Sequence, residues 1–193
     1  ELHLVVAPSA TWAGMVFVDL GQVEDSVDRA AAHPFEEAIA PLAARWAPFD
    51  LGRLAHAETR RYDVDANWKL IVENFLDFYH LPFIHPQVGP ASIALDVDDL
   101  VLDPRIIGGS YPRGAAGKAA KTDAPLPTFG DVPQVVRDRQ DIFCVFPNAL
   151  VFIEADWFQV IAFEPVAADR TVEHMALFVD RDAMGAGIIQ DRR

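Results

Sequence analysis

Cysteine is almost absent from this chain of 193 residues: Cys144 is the only one. A disulfide within the chain is therefore excluded, as is any all-cysteine metal or iron–sulfur site. A reducing, cytoplasmic setting is the one such cysteine usage suits. Basic clusters are missing too. Lys and Arg number 16 against 29 Asp and Glu, a formal charge of −13, and no basic run interrupts the excess. Nucleic-acid binding needs a positive footprint, so that class is set aside. Long hydrophobic runs are also lacking. The longest stretch without charge, Leu2 to Val18, holds His3, Pro8, Ser9, Thr11 and Gly14. It is shorter than the ~20 apolar residues of a spanning helix and carries no basic leader. No membrane association is expected. There is no internal repeat and no low-complexity tract.

What is present reads as an ordinary globular chain, 51% hydrophobic and 23% charged. Short β-type runs occupy residues 2–7 and 14–20, with a turn at Ala13-Gly14. Apolar residues at 39, 42, 43 and 46 give Glu36–Trp46 the spacing of an amphipathic helix, between Pro34 and Pro48. Ala57–Val64 reads as a strand. Asn67 is a good helix cap, and apolar positions 68, 71, 72, 75, 76 and 79 carry a helix from there to about Tyr79 or His80. Strand-like pieces follow at 93–97 and 100–107. Residues 108–133 hold Gly108, Gly109, Gly114, Gly117 and four prolines, which predicts a long loop or lid. The last third predicts an antiparallel meander: Ile142–Phe146, Ala149–Glu154, Trp157–Glu164 and Thr171–Asp180, separated by turn-length gaps. A helix starts near Arg181. The class is α+β. The chain opens on Glu1 in residues of strand character, so a piece of a longer protein is expected.

One segment concentrates the polar groups that chemistry requires: Asn67-Trp68-Lys69, Glu73-Asn74, Asp77, His80 and His85. On a helix Asn74, Asp77 and His80 share a face. His85, five residues past His80, would sit ~140° away on a continuous helix, too far round for one metal. Pro82 between them breaks the helix and lets both imidazoles turn to one point. Two histidines with a nearby carboxylate suggest a metal site, although histidines of this spacing also serve as satisfied core or helix-end residues.

The whole string resembles the mononuclear-iron segment of Rieske-type non-heme iron oxygenases, the α (large) subunits of ring-hydroxylating oxygenases. The pattern Asn-Trp-Lys, Glu-Asn, an acidic residue three before a histidine, then His-x4-His is met at every position of 67–86. Thr11–Asp19 looks like the strand leaving that family's Rieske domain. The resemblance implies a helix-grip (START-like) fold, a curved antiparallel sheet packed on a long helix. It assigns residues 1–20 to the tail of a Rieske-domain region and 21–193 to the catalytic domain, truncated at its C-terminus. It makes His80 and His85 ligands of Fe(II), Asp77 the carboxylate bridging towards the Rieske cluster of a neighbouring subunit, and Asn74 a residue of the iron pocket. Tyr79 and Glu73 flank the site. The implied activity is O2-dependent hydroxylation, cis-dihydroxylation or oxidative demethylation of a small organic substrate, with electrons from NAD(P)H through a reductase or ferredoxin. A homotrimer is expected.

Two elements of that pattern are missing. The Cys-x-His and Cys-x2-His pairs of a [2Fe-2S] Rieske cluster do not occur in the sequence. The third iron ligand, a late carboxylate, is expected past Arg193, with Asp182 and Asp191 as lesser candidates. A non-catalytic module of the same fold that binds a hydrophobic ligand, or an inert oxygenase fragment, are the alternatives. Other features carry little. Asp96, Asp98, Asp99 and Asp103 lack the glycine and closing glutamate of a calcium loop, and Ser92 and Ser110 lack a nucleophile's setting. The aromatics Phe143, Phe146, Phe152, Trp157, Phe158 and Phe163 read mostly as sheet core, with one face of the sheet available to line a substrate pocket, and His174 reads as a mid-strand residue for which burial is expected over a pocket role. Among substrates, an aromatic or amphipathic acid is weakly preferred over a quaternary amine.

Overall fold

The computed structural model describes residues 7–19, 35–85, 100–112 and 126–185. Seven strands form one antiparallel sheet: β3 (Leu54–Val64), β4 (Leu100–Asp103), β5 (Ile106–Pro112), β6 (Arg139–Val145), β7 (Ala149–Ile153), β8 (Trp157–Ala167) and β9 (Arg170–Asp180). Their order is β3-β9-β8-β7-β6-β5-β4. The last six strands are thus a meander, and β3 joins at its far edge by pairing with β9. The α+β class follows. A separate hairpin, β1 (Ser9–Trp12) and β2 (Met15–Val18), turns through Ala13 (φ 49°) and Gly14 (φ 78°). Positive φ at both central residues is what a two-residue hairpin of native twist requires.

Side chains alternate across the sheet, and each face has its own core. On one face Phe143, Val145, Val151, Ile153, Phe158 and Val160 pack under α1 (Phe35–Arg45) and Trp46, whose indole is 1% exposed. The hairpin closes this side, with Trp12 stacked on Trp46 at 5.4 Å. Asp141 also points into this core, and it is fully engaged. Arg45 donates to both of its oxygens (2.8 and 3.2 Å), Trp46 Nε1 donates at 3.0 Å and Ser110 Oγ at 2.7 Å. A buried carboxylate is tolerable only with such a set of donors.

On the opposite face Ile142, Cys144, Leu150, Phe152, Ile161 and Phe163 pack under α2 (Trp68–Leu76), through Ile71 and Val72. Burying each such side chain contributes about 1.5–3 kcal/mol. Burial also pushes the Cys144 thiol up to about 11, so the one cysteine stays protonated and unreactive.

Residues 108–112 differ from the loop expected of them: they continue β5 from Ile106, paired along its length with β6. Gly108 is there because nothing larger fits: a Cβ would lie 2.0 Å from the Ile142 carbonyl oxygen and 2.7 Å from Phe143 Cα. The glycine marks a close approach of strands, not a break. Strand-like 93–97 and half of the expected lid, residues 113–125, lie outside the described residues. His174 is also corrected. It is exposed, with Nε2 2.8 Å from Glu164 Oε2. Phe146 likewise is more than half exposed, outside the core.

Candidate metal centre

Asn67 caps α2 as its sequence predicts, its side chain accepting from the Lys69 amide at 3.0 Å. The helix then stops sooner than its apolar spacing implies. Asp77 leaves the helical region (φ −82°, ψ 94°), and the chain restarts as a single 3-10 turn, Phe78–His80, followed by the short α3, Leu81–Ile84. Asp77 makes the break possible. Its Oδ1 accepts from the Tyr79 amide at 2.9 Å, satisfying a donor that the interrupted helix leaves open. Asn74, Asp77 and His80 therefore do not share one helix face. Pro82 is not the breaker either. It stands in the first turn of α3, where its missing N–H costs nothing.

The outcome for the histidines is nonetheless convergence. Their ring centroids are 5.4 Å apart with planes at 69°. Asp77 Oδ2 lies 3.6 Å from His80 Nδ1. That separation is longer than a hydrogen bond, so the carboxylate stands beside this ring nitrogen without fixing the tautomer. Both rings are half-buried, whereas Asn74 and Asp77 are exposed.

His80 and His85 open on a pocket of about 170 Å³ lined by Asn74, Phe75, Phe78, Leu81, Tyr111, Ile142 and Phe152 as well. α2 supplies its roof and strands β5, β6 and β7 its floor. Phe75 meets Phe152 edge-on at 5.6 Å, and Phe78 meets Tyr111 at 5.2 Å. Tyr111, Ile142 and Phe75 had no signal of their own in the sequence. Tyr111 was hidden because the glycines before it read as loop; the alternation Ile107, Gly109, Tyr111 is the pattern that marks it as one face of a strand.

This donor set suits a divalent first-row ion: two imidazoles, one of them beside a carboxylate, in a mostly apolar wall. No third His, Cys, Asp or Glu side chain joins them among the described residues. Asp182 is bound elsewhere, its carboxylate 2.5 Å from Arg53 Nη2, and it does not line the pocket. Asp191 lies outside the described residues. Glu73 and Tyr79 are exposed and also stand outside the lining.

A seven-stranded antiparallel sheet with a histidine pair over one face is an α+β architecture. Residues 51–193 match the model of the ring hydroxylating alpha subunit (catalytic domain), and the chain belongs to that family, whose members are oxidoreductases. Among solved structures it is similar to the quaternary ammonium Rieske monooxygenase CntA in complex with an inhibitor, at 18% identity and a TM-score of 0.59, over 90% of this chain and 42% of that one. The same enzyme with its substrate L-carnitine gives 17% identity and a TM-score of 0.57, over 90% and 41%. Dicamba monooxygenase bound to dicamba gives 14% and 0.49, over 95% and 53%. At these identities the likeness is one of fold, and the chain spans well under half the length of the CntA chain. No curated protein matches the sequence significantly. No helix among the described residues is long and apolar enough to cross a membrane.

Proposed function

We propose that this chain is the catalytic portion of a Rieske-type oxygenase acting on a small organic substrate, by hydroxylation, cis-dihydroxylation or oxidative demethylation. Its electrons would come from NAD(P)H through a reductase or ferredoxin and a [2Fe-2S] Rieske centre. The observation that carries this reading is the pairing of His80 and His85 in one apolar pocket, inside the span matched by the family.

His80 and His85 would hold Fe(II), which supplies open coordination positions for O2 and substrate and one-electron chemistry when bound. Asp77 sets its carboxylate beside the Nδ1 edge of the His80 ring. Its carboxylate is 55% exposed, so it is also placed to meet a group arriving from outside. That supports the bridging role and, with it, an oligomer, a trimer in our reading, in which one subunit's donor approaches another's Asp77. Phe75, Phe78, Ile142 and Phe152 exclude water and seat the apolar body of the substrate. Asn74 offers an amide at the pocket's edge.

Metal analysis after anaerobic Fe(II) reconstitution tests the site. Wild type is expected to bind about one iron per chain, and His80→Ala and His85→Ala to lose it. Iron kept by both variants would sink the assignment. No iron in the wild type would favour a module that binds a hydrophobic ligand without metal.

A further inference from the structure

The segment that carries both histidines has little to hold it in place. Phe78–His80 is a single 3-10 turn and Leu81–Ile84 a single helical turn, and helices so short are not stable on their own. Their backbone hydrogen bonds are local. The Asp77 amide donates to the Glu73 carbonyl, the Leu81 amide to that of Phe78 and the His85 amide to that of Leu81. None of these bonds fixes the segment against the sheet. Side chains must do so, and most of them face outward: Asp77, Tyr79, Phe83 and Ile84 are exposed, and His80, Leu81 and His85 are half-buried. Phe78, 5% exposed, is the one buried side chain among those described from 77 to 85. We propose that Phe78, seated on a Tyr111 ring tethered to Gln140, is the anchor that fixes this segment on the sheet and so holds His80 and His85 at one point. The consequence for a metal rests on the centre proposed above.

On the sheet side the seat is rigid. Phe78 meets the Tyr111 ring at 5.2 Å with the planes at 51°. That ring is held at both ends. Its backbone belongs to β5, and its hydroxyl donates to Oε1 of Gln140, the residue directly opposite on β6. Opposite residues leave the sheet on the same face, which is what lets the two side chains meet. Burial, and then the charge of Glu154, push the phenol pKa far above the ordinary tyrosine value, so the donated proton is kept across the physiological range. A ring pinned in this way does not tilt, and Phe78 meets a fixed surface. Phe78 stands one residue past Asp77 and two before His80, so its seat sets where the 3-10 turn lies. His85 follows through the Leu81–Ile84 turn. Phe78, Tyr111 and Gln140 act through the histidines and are positioning residues.

Amide hydrogen exchange and titration with Co(II) alone test the anchor on this chain. In the metal-free wild type the Leu81 and His85 amides are expected to be protected by their hydrogen bonds. Phe78→Ala should speed exchange at both. Phe78→Leu, an apolar plug without a ring, should do so to a smaller extent, and it carries the test if Phe78→Ala does not fold. Phe78→Ala should also weaken Co(II) binding about tenfold, the low end of the loss when a group that orients a metal ligand is removed. Val151→Ala, in the core of the opposite face, is the control. It lowers global stability, which amides that exchange by local opening do not sense. Tyr111→Phe and Gln140→Leu break one and the same link. Each should weaken Co(II) binding roughly threefold, and the double variant no further than either. Unchanged exchange in the Phe78 variants, equal effects from Val151→Ala, or additive losses in the double variant would each overturn the proposal. Co(II) bound equally by wild type and variants removes the anchor and leaves the metal centre standing. A wild type that binds no Co(II) removes the metal centre, and exchange at Leu81 and His85 then upholds or overturns the anchor by itself.

Discussion

The two faces of the seven-stranded sheet are built from the same alternating strands and end in opposite states. Under α1 the face is finished. Trp46, Phe143 and Phe158 are essentially inaccessible, and the one carboxylate among them, Asp141, is held by Arg45, Trp46 and Ser110. Under α2 the described residues leave the face open. The helix stops at Leu76, a pocket remains, His80 and His85 are half-buried, and Tyr79, Phe83 and Ile84 stand 67–74% exposed beside them. A protein of marginal stability can leave one surface incompletely packed only if another is packed well. On this division the α1 face carries stability and the α2 face the proposed chemistry, and substitutions on each face separate the two.

The largest loss of stability is expected from Asp141→Ala. It strands the Arg45 guanidinium in the core, and breaking a buried pair by removing one partner costs about 3–5 kcal/mol. Urea unfolding measures this, and a loss under 1 kcal/mol would contradict the division of labour. Gly108→Ala comes next. The added methyl meets backbone, which cannot rotate away, and overpacking of this kind costs about 1–3 kcal/mol. A fall in thermal midpoint with an unchanged pocket is the expected signature. Asp180 gives a smaller, pH-dependent effect. Hydrogen bonds from Arg53 lower its pKa below the ordinary carboxylate value. Its contribution is therefore complete above the unfolded-state pKa of about 4 and is lost as pH falls through the depressed folded value. Asp180→Asn should flatten the acid limb of a stability–pH profile, and an unchanged limb would exclude the pair as its cause. The smallest effect on folding belongs to the α2 face. His80→Ala and His85→Ala should cost about 1 kcal/mol or less, since both side chains are only partly buried, at the wall of a pocket. Metal uptake should nonetheless be lost in both.

Much of this fold is legible in the chain because its signals are local. The Ala13-Gly14 turn, the Asn67 cap and the period-two runs of the meander each depend on residues a few positions apart, and each appears within a residue or two of its expected place, except that β6 begins three residues early and β8 ends three residues late. The reading failed where a local signal has two physical causes. Gly108-Gly109 reads as loop, yet the glycine is demanded by the approach of Ile142 and Phe143. The apolar spacing to Tyr79 reads as one helix, yet Asp77 competes for backbone donors and ends it. His174 reads as core because its neighbours are apolar, but its strand's register turns it outward, beside Glu164.

The site divides in the same way. His80, His85 and Asp77 are close in sequence, so the chemistry they share follows from their order in the chain once a break falls between helix and histidines. The wall they face does not. Tyr111 and Gln140 are 29 residues apart, Arg45 and Asp141 are 96 apart, and no short-range preference pairs them. Their meeting depends on strand register and on burying two opposite faces at once. Those are properties of the assembled sheet, because hydrophobic burial is non-directional and only packing of the whole layer selects which residues share a pocket.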